Sequence, residues 1–324
     1  MAKHCIGIDL GGTFIKFGLL DEQHNATDTV QVPTPSQGAE AVIEEMVRGA
    51  RRVMTEANVQ PDEVIGVGIG SPGPLSISEG VVHALPNIPG MDGCPLPDRV
   101  SEGLDGLPAV LENDANAAAF GEYLVGAGER SRDMVMLTLG TGVGGGVILD
   151  GNILHGAHEI GAELGHMIVD PGGEQCGCGQ NGCLEQYASA TFIARYAQRV
   201  LTETQRTSSL TDVLAGGEEL TTKDINEHRR AGDAFAEEVW QRGLYHLAVG
   251  CVSICRIFDP DQIVLAGGLT NAGDDLMKPL TEHFRSLHWT LTEPKTELAI
   301  ATLGSNAGVI GAAGVAWSAF GGRH

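Results

Sequence analysis

The chain has 324 residues, is 42% hydrophobic and carries a formal charge of −22 with a pI near 4.7. That length gives one large domain or two ordinary ones with a substantial core, while the acidity excludes a broad nucleic-acid surface, which needs clustered Lys and Arg to displace counterions. No apolar run approaches a membrane span, and the N-terminus enters a strand-like segment without a signal-peptide core, so a cytoplasmic location and no membrane partner are expected.

Residues 6–9 read as a strand running into the glycine turn Gly11-Gly12-Thr13, with 14–20 as the returning strand and 21–25 as a polar turn. Val42, Ile43, Met46, Val47 and Val53 give 39–57 a helical stripe that ends near Pro61. Residues 64–69 and 108–113 are buried strands. An alanine-rich helix follows over 115–126, so Asp114 falls at a strand-to-helix junction. The first hairpin pattern then recurs: strand 134–139, the turn Gly140-Thr141-Gly142-Val-Gly144-Gly145-Gly146, strand 147–149 and a turn at 150–152. Helices are expected over 190–201 and 231–258, with 202–226 a surface excursion around a short helix. Strand 261–266 runs into Gly267-Gly268, and a final helix follows Ser305. Strands alternating with helices define an α/β protein, and the repeated hairpin implies a duplicated nucleotide-binding half. The expected division is two lobes with a cleft between them, residues 1–115 plus 305–324 and residues 116–304.

The densest cluster of chemistry is His166 with Cys176, Cys178 and Cys183, one imidazole and three thiols within eighteen residues. That set fills a tetrahedral zinc shell and, leaving no position for water, suits a structural ion. A redox pair or chance cysteines is the alternative. The seventh, unpaired thiol and the thiolate site both fit a reducing compartment. Cys251 and Cys255, one helical turn apart on an apolar segment, read as core thiols; His4, His155, His158 and His246 receive no role.

Glycine turns after strands are common, and Asp9 with Gly11, Gly12 and Thr13 would be weak alone. Its pairing with Gly140, Thr141 and Gly142 points to amides and hydroxyls that cradle an oligophosphate, with Asp9 holding magnesium directly or through water. Lys16 either faces phosphate or is an ordinary solvated lysine. Asp114 either accepts the proton of an attacking hydroxyl in phosphoryl transfer or caps its helix.

Asp9-x-Gly-Gly-Thr13, Glu112-Asn-Asp114, Leu139-Gly-Thr-Gly-x-Gly-Gly-Gly146, Glu163-Leu-Gly-His166 and Cys176-x-Cys-Gly-x-x-Gly-Cys183-x-Glu185 resemble the motifs of the ROK (repressor, open reading frame, kinase) family, in its bacterial glucokinase branch. The resemblance runs from about residue 4 to about 320. It implies the actin-like ATPase fold, built of ribonuclease H-like lobes, and an ATP-dependent 6-phosphotransferase for a hexose, glucose by preference. Asp114 is then the base. Asn87, Asn113, Glu163, His166 and Glu185 contact the sugar, and His166 does so while its other nitrogen binds zinc. Gly267 and Gly268 lie against the adenosine of ATP. Kinases for N-acetylglucosamine, N-acetylmannosamine or fructose are alternatives within the family. The family's sugar-responsive repressors carry a winged-helix segment ahead of the first turn, where this chain has a handful of residues. An actin- or chaperone-like ATPase would leave the cysteine cluster without purpose. Family likeness and the frequency of twofold symmetry imply a homodimer. Two departures bear on sugar selectivity: Ile88-Pro-Gly-Met91 where Leu-Pro-Gly-Trp is usual, and Ala162 where Gly is usual.

Overall fold

The computed structural model describes residues 3–85, 88–204 and 206–322. Its first part runs β1 (His4–Leu10), β2 (Phe14–Asp21), β3 (Val30–Pro33), α1 (Ala39–Glu56), β4 (Val64–Ser71), β5 (Leu75–Ser76), β6 (Val81–Val82), α2 (Leu96–Gly103), β7 (Ala109–Asn113) and α3 (Asp114–Val125). There follow β8 (Met134–Leu139), β9 (Val143–Leu149), β10 (Asn152–Ile153), α4 (Glu185–Ala188), α5 (Ala190–Glu203), α6 (Leu210–Ala215) and α7 (Thr222–Arg230). The chain ends with α8 (Ala234–Phe258), β11 (Gln262–Ala266), α9 (Asp274–Leu287), β12 (Glu297–Ile300) and α10 (Ala307–Phe320).

Two five-stranded sheets share one plan. Their orders are β3-β2-β1-β4-β7 and β10-β9-β8-β11-β12. In the first, β1 pairs antiparallel with β2 and parallel with β4, which pairs parallel with β7; in the second, β11 pairs parallel with both β8 and β12. The duplication read from the hairpins is thus a duplication of whole sheets. The chain forms two compact units, one of residues up to 130, 146–161 and from 302 onward, the other of 131–145 and 162–301. Helix α3 and the segment 146–161 therefore belong with the first unit, beyond the expected limit at residue 115.

In the first unit, alternation along the strands sends Ile6, Ile8, Ile15 and Phe17 into a core with Val42, Met46 and Val53 of α1. The other side of this sheet receives α10, whose Gly- and Ala-rich sequence lets it lie on bare backbone. A Cβ at Gly68 would overlap the Ala312 carbonyl, and one at Gly311 the Ala117 carbonyl of α3. Glu122 of α3 is fully buried and accepts hydrogen bonds from the amides of Ala127 at 2.8 Å, Thr302 at 3.1 Å and Leu303 at 2.7 Å. It thereby ties down the stretches beside the two points where the chain leaves and finally re-enters this unit.

In the second unit, α8 buries Val239, Trp240, Leu244, Leu247, Cys251, Ile254 and Cys255 along one stripe, so both cysteines are core side chains. Asp233 caps its start, accepting the Ala236 amide at 2.9 Å. Helix α9 was not legible because Pro279 stands inside it. Proline withdraws the N–H that would meet the Asp275 carbonyl, and that carbonyl instead accepts the Trp240 indole N–H at 3.0 Å. The excursion at 202–226 holds α6 and the start of α7 rather than one short helix. Gly144, Gly145 and Gly146 lie inside β9 and not in the preceding turn; at Gly145 a Cβ would come within 2.9 Å of the Leu164 side chain, so close packing selects glycine there. Among the described residues no helix is long and apolar enough to cross a membrane.

Candidate active site

In the first unit, register builds the site. Asp9 at the end of β1 lies opposite Lys16 of β2 and beside Gly70 of β4, which is in turn beside Glu112 of β7. The turn after Asp9 is closed by the Gly11 amide on the Phe14 carbonyl at 3.0 Å and held from outside by Thr34, whose hydroxyl donates to the Gly11 carbonyl at 2.7 Å. Thr34 was not singled out from the sequence. A side chain at Gly12 would meet nothing within 4 Å, so packing does not demand glycine at that point and the bare backbone stays accessible. Thr13 is exposed beside it. Lys16 is not a free solvated lysine: its ammonium donates to the Ser305 carbonyl at 2.8 Å and lies 3.9 Å from the Asp9 carboxylate. Burial pushes the Asp9 carboxyl above the ordinary range, with Lys16 opposing the shift and Asp114 adding to it.

The junction removes the capping alternative at Asp114. Asn113, not Asp114, caps α3: its Oδ1 accepts the amides of Ala115 at 3.0 Å and Asn116 at 3.2 Å. Asp114 is the first helical residue, and its Oδ1 takes the Ala115 amide at 2.8 Å. Burial raises the Asp114 carboxyl above the usual carboxylate range, against hydrogen bonds from Ala115 and its own amide that lower it. Behind it Glu112 is buried at 1% exposure, bonded to the Asn113 amide at 2.9 Å and to His155 Nε2 at 2.7 Å. His155, given no role from sequence, therefore belongs to this cluster. No sequence signal ties it to a residue 43 positions earlier. Asn87 lies outside the described residues.

In the second unit, the turn Gly140–Gly142 is closed by the Gly140 amide on the Gly142 carbonyl at 3.0 Å, with Thr141 exposed. Gly140 and Gly268, like Gly12, have open space where a side chain would stand, whereas Gly267 has φ 92 and a Cβ there would sit 2.5 Å from the Leu139 carbonyl. Gly267 is thus required by backbone, and Gly268 is free to face a ligand. Glu185 opens α4 and accepts the Val143 amide at 3.0 Å, which joins it to the second turn. Glu163 is exposed, directly ahead of a 3₁₀ turn over Leu164–His166, and has no side-chain partner among the described residues. A cavity of about 640 Å³ lined by Thr191, Arg195, Gln198 and Thr221 opens between α5 and the start of α7. The Ala190 amide on the Gly140 carbonyl, at 2.9 Å, links its wall to the second turn.

The ligand atoms of His166, Cys176, Cys178 and Cys183 all lie within 4.8 Å of one another. A tetrahedron with zinc–sulfur bonds of about 2.3 Å has sulfur–sulfur edges of about 3.8 Å and sulfur–nitrogen edges of about 3.6 Å. Cys178 and Cys183 stand 3.6 Å apart, and Cys176 lies 3.7 Å from His166 Nδ1. A disulfide needs about 2.05 Å, so these separations fit a shared ion and exclude a formed disulfide. Hydrogen bonds from Gln180 draw the exposed Cys178 thiol down to about 6, while burial pushes Cys183 up to about 12. With Nδ1 toward the sulfurs, His166 keeps Nε2 on the opposite edge of its ring.

Twin sheets of one topology, each ending its first strand in a glycine turn, define the actin-like ATPase fold. The chain belongs to the ROK family, whose model matches residues 5–318. It is 39% identical over 308 residues to the glucokinase of Halalkalibacterium halodurans, covering 94% of this chain and 92% of that protein. The ROK hexokinase of Thermus thermophilus superposes with a TM-score of 0.86 at 35% identity, covering 98% of both chains. The Streptomyces griseus ROK glucokinase, solved in complex with glucose and AMPPNP, superposes with a TM-score of 0.74 at 35% identity, covering 97% of this chain and 99% of that one.

Proposed function

We propose that the protein is a glucokinase, transferring the γ-phosphoryl group of ATP to the 6-hydroxyl of glucose. The observation that carries this reading is the junction at Asn113 and Asp114, in a chain matched along nearly its whole length by named glucokinases. As the sugar oxygen forms its bond to the γ-phosphorus, the bond from that phosphorus to the bridging oxygen breaks and ADP leaves. Asp114 accepts the hydroxyl proton. Because the carboxylate is fixed by a hydrogen bond to the helix it starts, its orientation is set before substrate arrives, and little reorganisation is left for the reaction.

The amides and hydroxyls of the two turns, Gly11 to Thr13 and Gly140 to Gly142, receive the phosphates, with Lys16 adding positive charge. Asp9 would hold magnesium, as a lone carboxylate suits an ion otherwise ligated by phosphate and water. Magnesium, when bound, neutralises charge on the phosphate oxygens. Adenosine would take the cavity beside α5; Gly267 and Gly268 lead into a 3₁₀ turn over Gly268–Ala272 that packs on α7, the helix whose start lines that cavity. The sugar-contacting set is Asn87, Asn113 and Asp114 with Glu163, His166 and Glu185, whose amides, carboxylates and imidazole suit directional bonds to hydroxyls.

His166 and the three cysteines would hold a structural zinc, which, when bound, fixes the orientation of the imidazole that meets the sugar. Family likeness supports a homodimer, and the reducing chemistry of the thiols supports the cytoplasm. The test is ADP release with magnesium and ATP over a panel of glucose, N-acetylglucosamine, N-acetylmannosamine and fructose. Glucose is expected to give the highest kcat/KM; a higher value for an N-acetylhexosamine would reassign the substrate, and no sugar dependence would remove the kinase.

A further inference from the structure

Glu112 accepts hydrogen bonds from three directions. Its Oε1 takes the Asn113 amide at 2.9 Å and the Asn116 side-chain amide at 3.0 Å, and its Oε2 meets His155 Nε2 at 2.7 Å. The first two bonds fix the peptide that sets Asn113 as the helix cap and Asp114 as the residue after it. The third reaches across to a loop after β10. That loop is tied down independently: the Leu154 amide bonds to the Val147 carbonyl at 2.8 Å, and the Gly161 amide closes on the His155 carbonyl at 2.8 Å. Four residues past His155, Glu159 stands at φ 58 and accepts the Ser76 hydroxyl at 3.0 Å and the amides of Ile77 and Ser78, each at 2.8 Å. A carboxylate held this firmly maintains a backbone conformation that an L-residue otherwise avoids.

A carboxylate at 1% exposure must be paired if it is to stay charged. The hydrogen bond and charge of Glu112 raise the His155 imidazole above its ordinary value, Glu159 adds to the rise, and burial opposes it. Glu112 from β7 and Glu159 from the same loop are the charged groups that bear on this ring.

We propose that His155 is a positioning residue for the phosphoryl transfer: as an imidazolium it holds Glu112, and through Glu112 it holds the Asn113–Asp114 junction in the geometry the base requires. The role in turnover rests on the kinase reading; the ion pair does not. Because the folded imidazole is raised, the charged pair is complete below the ordinary histidine value and is lost as pH rises through the folded value. Activity therefore has two limbs of separate origin. Protonation of Asp114 removes the base on the acid side, and deprotonation of His155 loosens the junction on the alkaline side.

The experiment combines proton NMR of the full-length, zinc-loaded protein with kcat against pH. The His155 ring resonance, assigned by its loss in His155→Gln, is expected to titrate above the ordinary imidazole value in the wild type and to return toward it in Glu112→Gln. His155→Gln retains an amide donor; it is expected to keep its melting temperature, zinc content and KM for ATP, to lose about tenfold in kcat and to lose the alkaline limb. An alkaline limb with an unchanged midpoint in that variant overturns the positioning role. A His155 resonance at the ordinary value overturns the pair. A wild type that phosphorylates no hexose removes the kinase reading and the role in turnover with it, while the titration still decides the pair.

Discussion

The junction in the first unit and the cysteine loop in the second assemble polar side chains by opposite means. At the junction, Glu112 and Asn113 spend their oxygens on amides of the strand end and the helix start, so the folded backbone itself aims Asp114. In the cysteine loop, main-chain bonds such as Cys176 to Gln180 at 2.8 Å and Gly182 to Glu174 at 2.7 Å bring three thiols and an imidazole together, but thiols are weak hydrogen-bonding groups and hold one another poorly. The first arrangement is rigid because it is hydrogen-bonded; the second is suited to become rigid through an ion. Loss of one side chain should therefore cost chemistry at the junction and order in the loop.

The largest effect tests the first half of that contrast. Asp114→Asn keeps the shape and the hydrogen bond to Ala115 but cannot accept the hydroxyl proton. It is expected to fold, keep zinc and lose about 10³-fold in kcat, measured by coupled ADP release beside a melting curve. Turnover near wild type would move the base elsewhere. In the wild type, kcat should fall on the acid side at a pH above that of an ordinary aspartate, because burial raises Asp114 and only its ionised form accepts the proton. Cys183→Ser tests the other half. Its expected signature is loss of bound zinc by elemental analysis, a melting temperature lower by roughly 5 °C or more, and weakened sugar binding at His166. An unchanged melting temperature on zinc removal would leave the loop without need of an ion.

These two regions were also legible to different depths. The cysteine cluster is local in sequence, so spacing alone picks out the four side chains that the fold gathers. The junction was found, but its division of labour was not: Asp and Asn are both good caps, and only coordinates assign the cap to Asn113 and leave Asp114 with a single bond to the Ala115 amide. Contacts between distant residues were beyond reach, as when Lys16 bonds the Ser305 carbonyl 289 positions away or His155 bonds Glu112. Secondary structure failed where a residue was out of character for its element. Pro279 hid α9, which persists because the carbonyl left without a helical donor is satisfied by Trp240 from another helix, and Gly145 and Gly146 of β9 resembled a turn although close packing is what selects them.

Glu122 gives an intermediate case, a buried carboxylate that serves structure without chemistry. Glu122→Ala strips the amides of Ala127, Thr302 and Leu303 of their acceptor, and each buried unsatisfied donor costs about 1–3 kcal/mol. Since water can enter the space left behind, a total loss of about 3 kcal/mol is expected in denaturant unfolding. An equal loss in Glu122→Gln would show that charge, not acceptor geometry, holds those amides.

The smallest effect concerns the loop that leads to Glu163 and His166, where rigidity comes from neither an ion nor a buried carboxylate. Ala162 has φ 63, and its carbonyl accepts the Leu164 amide at 2.7 Å. A methyl group at that φ costs about 1–2 kcal/mol, which Ala162→Gly would relieve. Glycine also loosens the unfolded chain, which costs about 0.4–1 kcal/mol. The second term offsets about half of the first, leaving a gain of about 0.5–1 kcal/mol and a melting temperature higher by roughly 1–3 °C, with KM for glucose unchanged. A lower melting temperature in Ala162→Gly would mean that the alanine methyl packs well enough to outweigh its backbone strain, and the family's usual glycine would then be there for the sugar pocket and not for the turn.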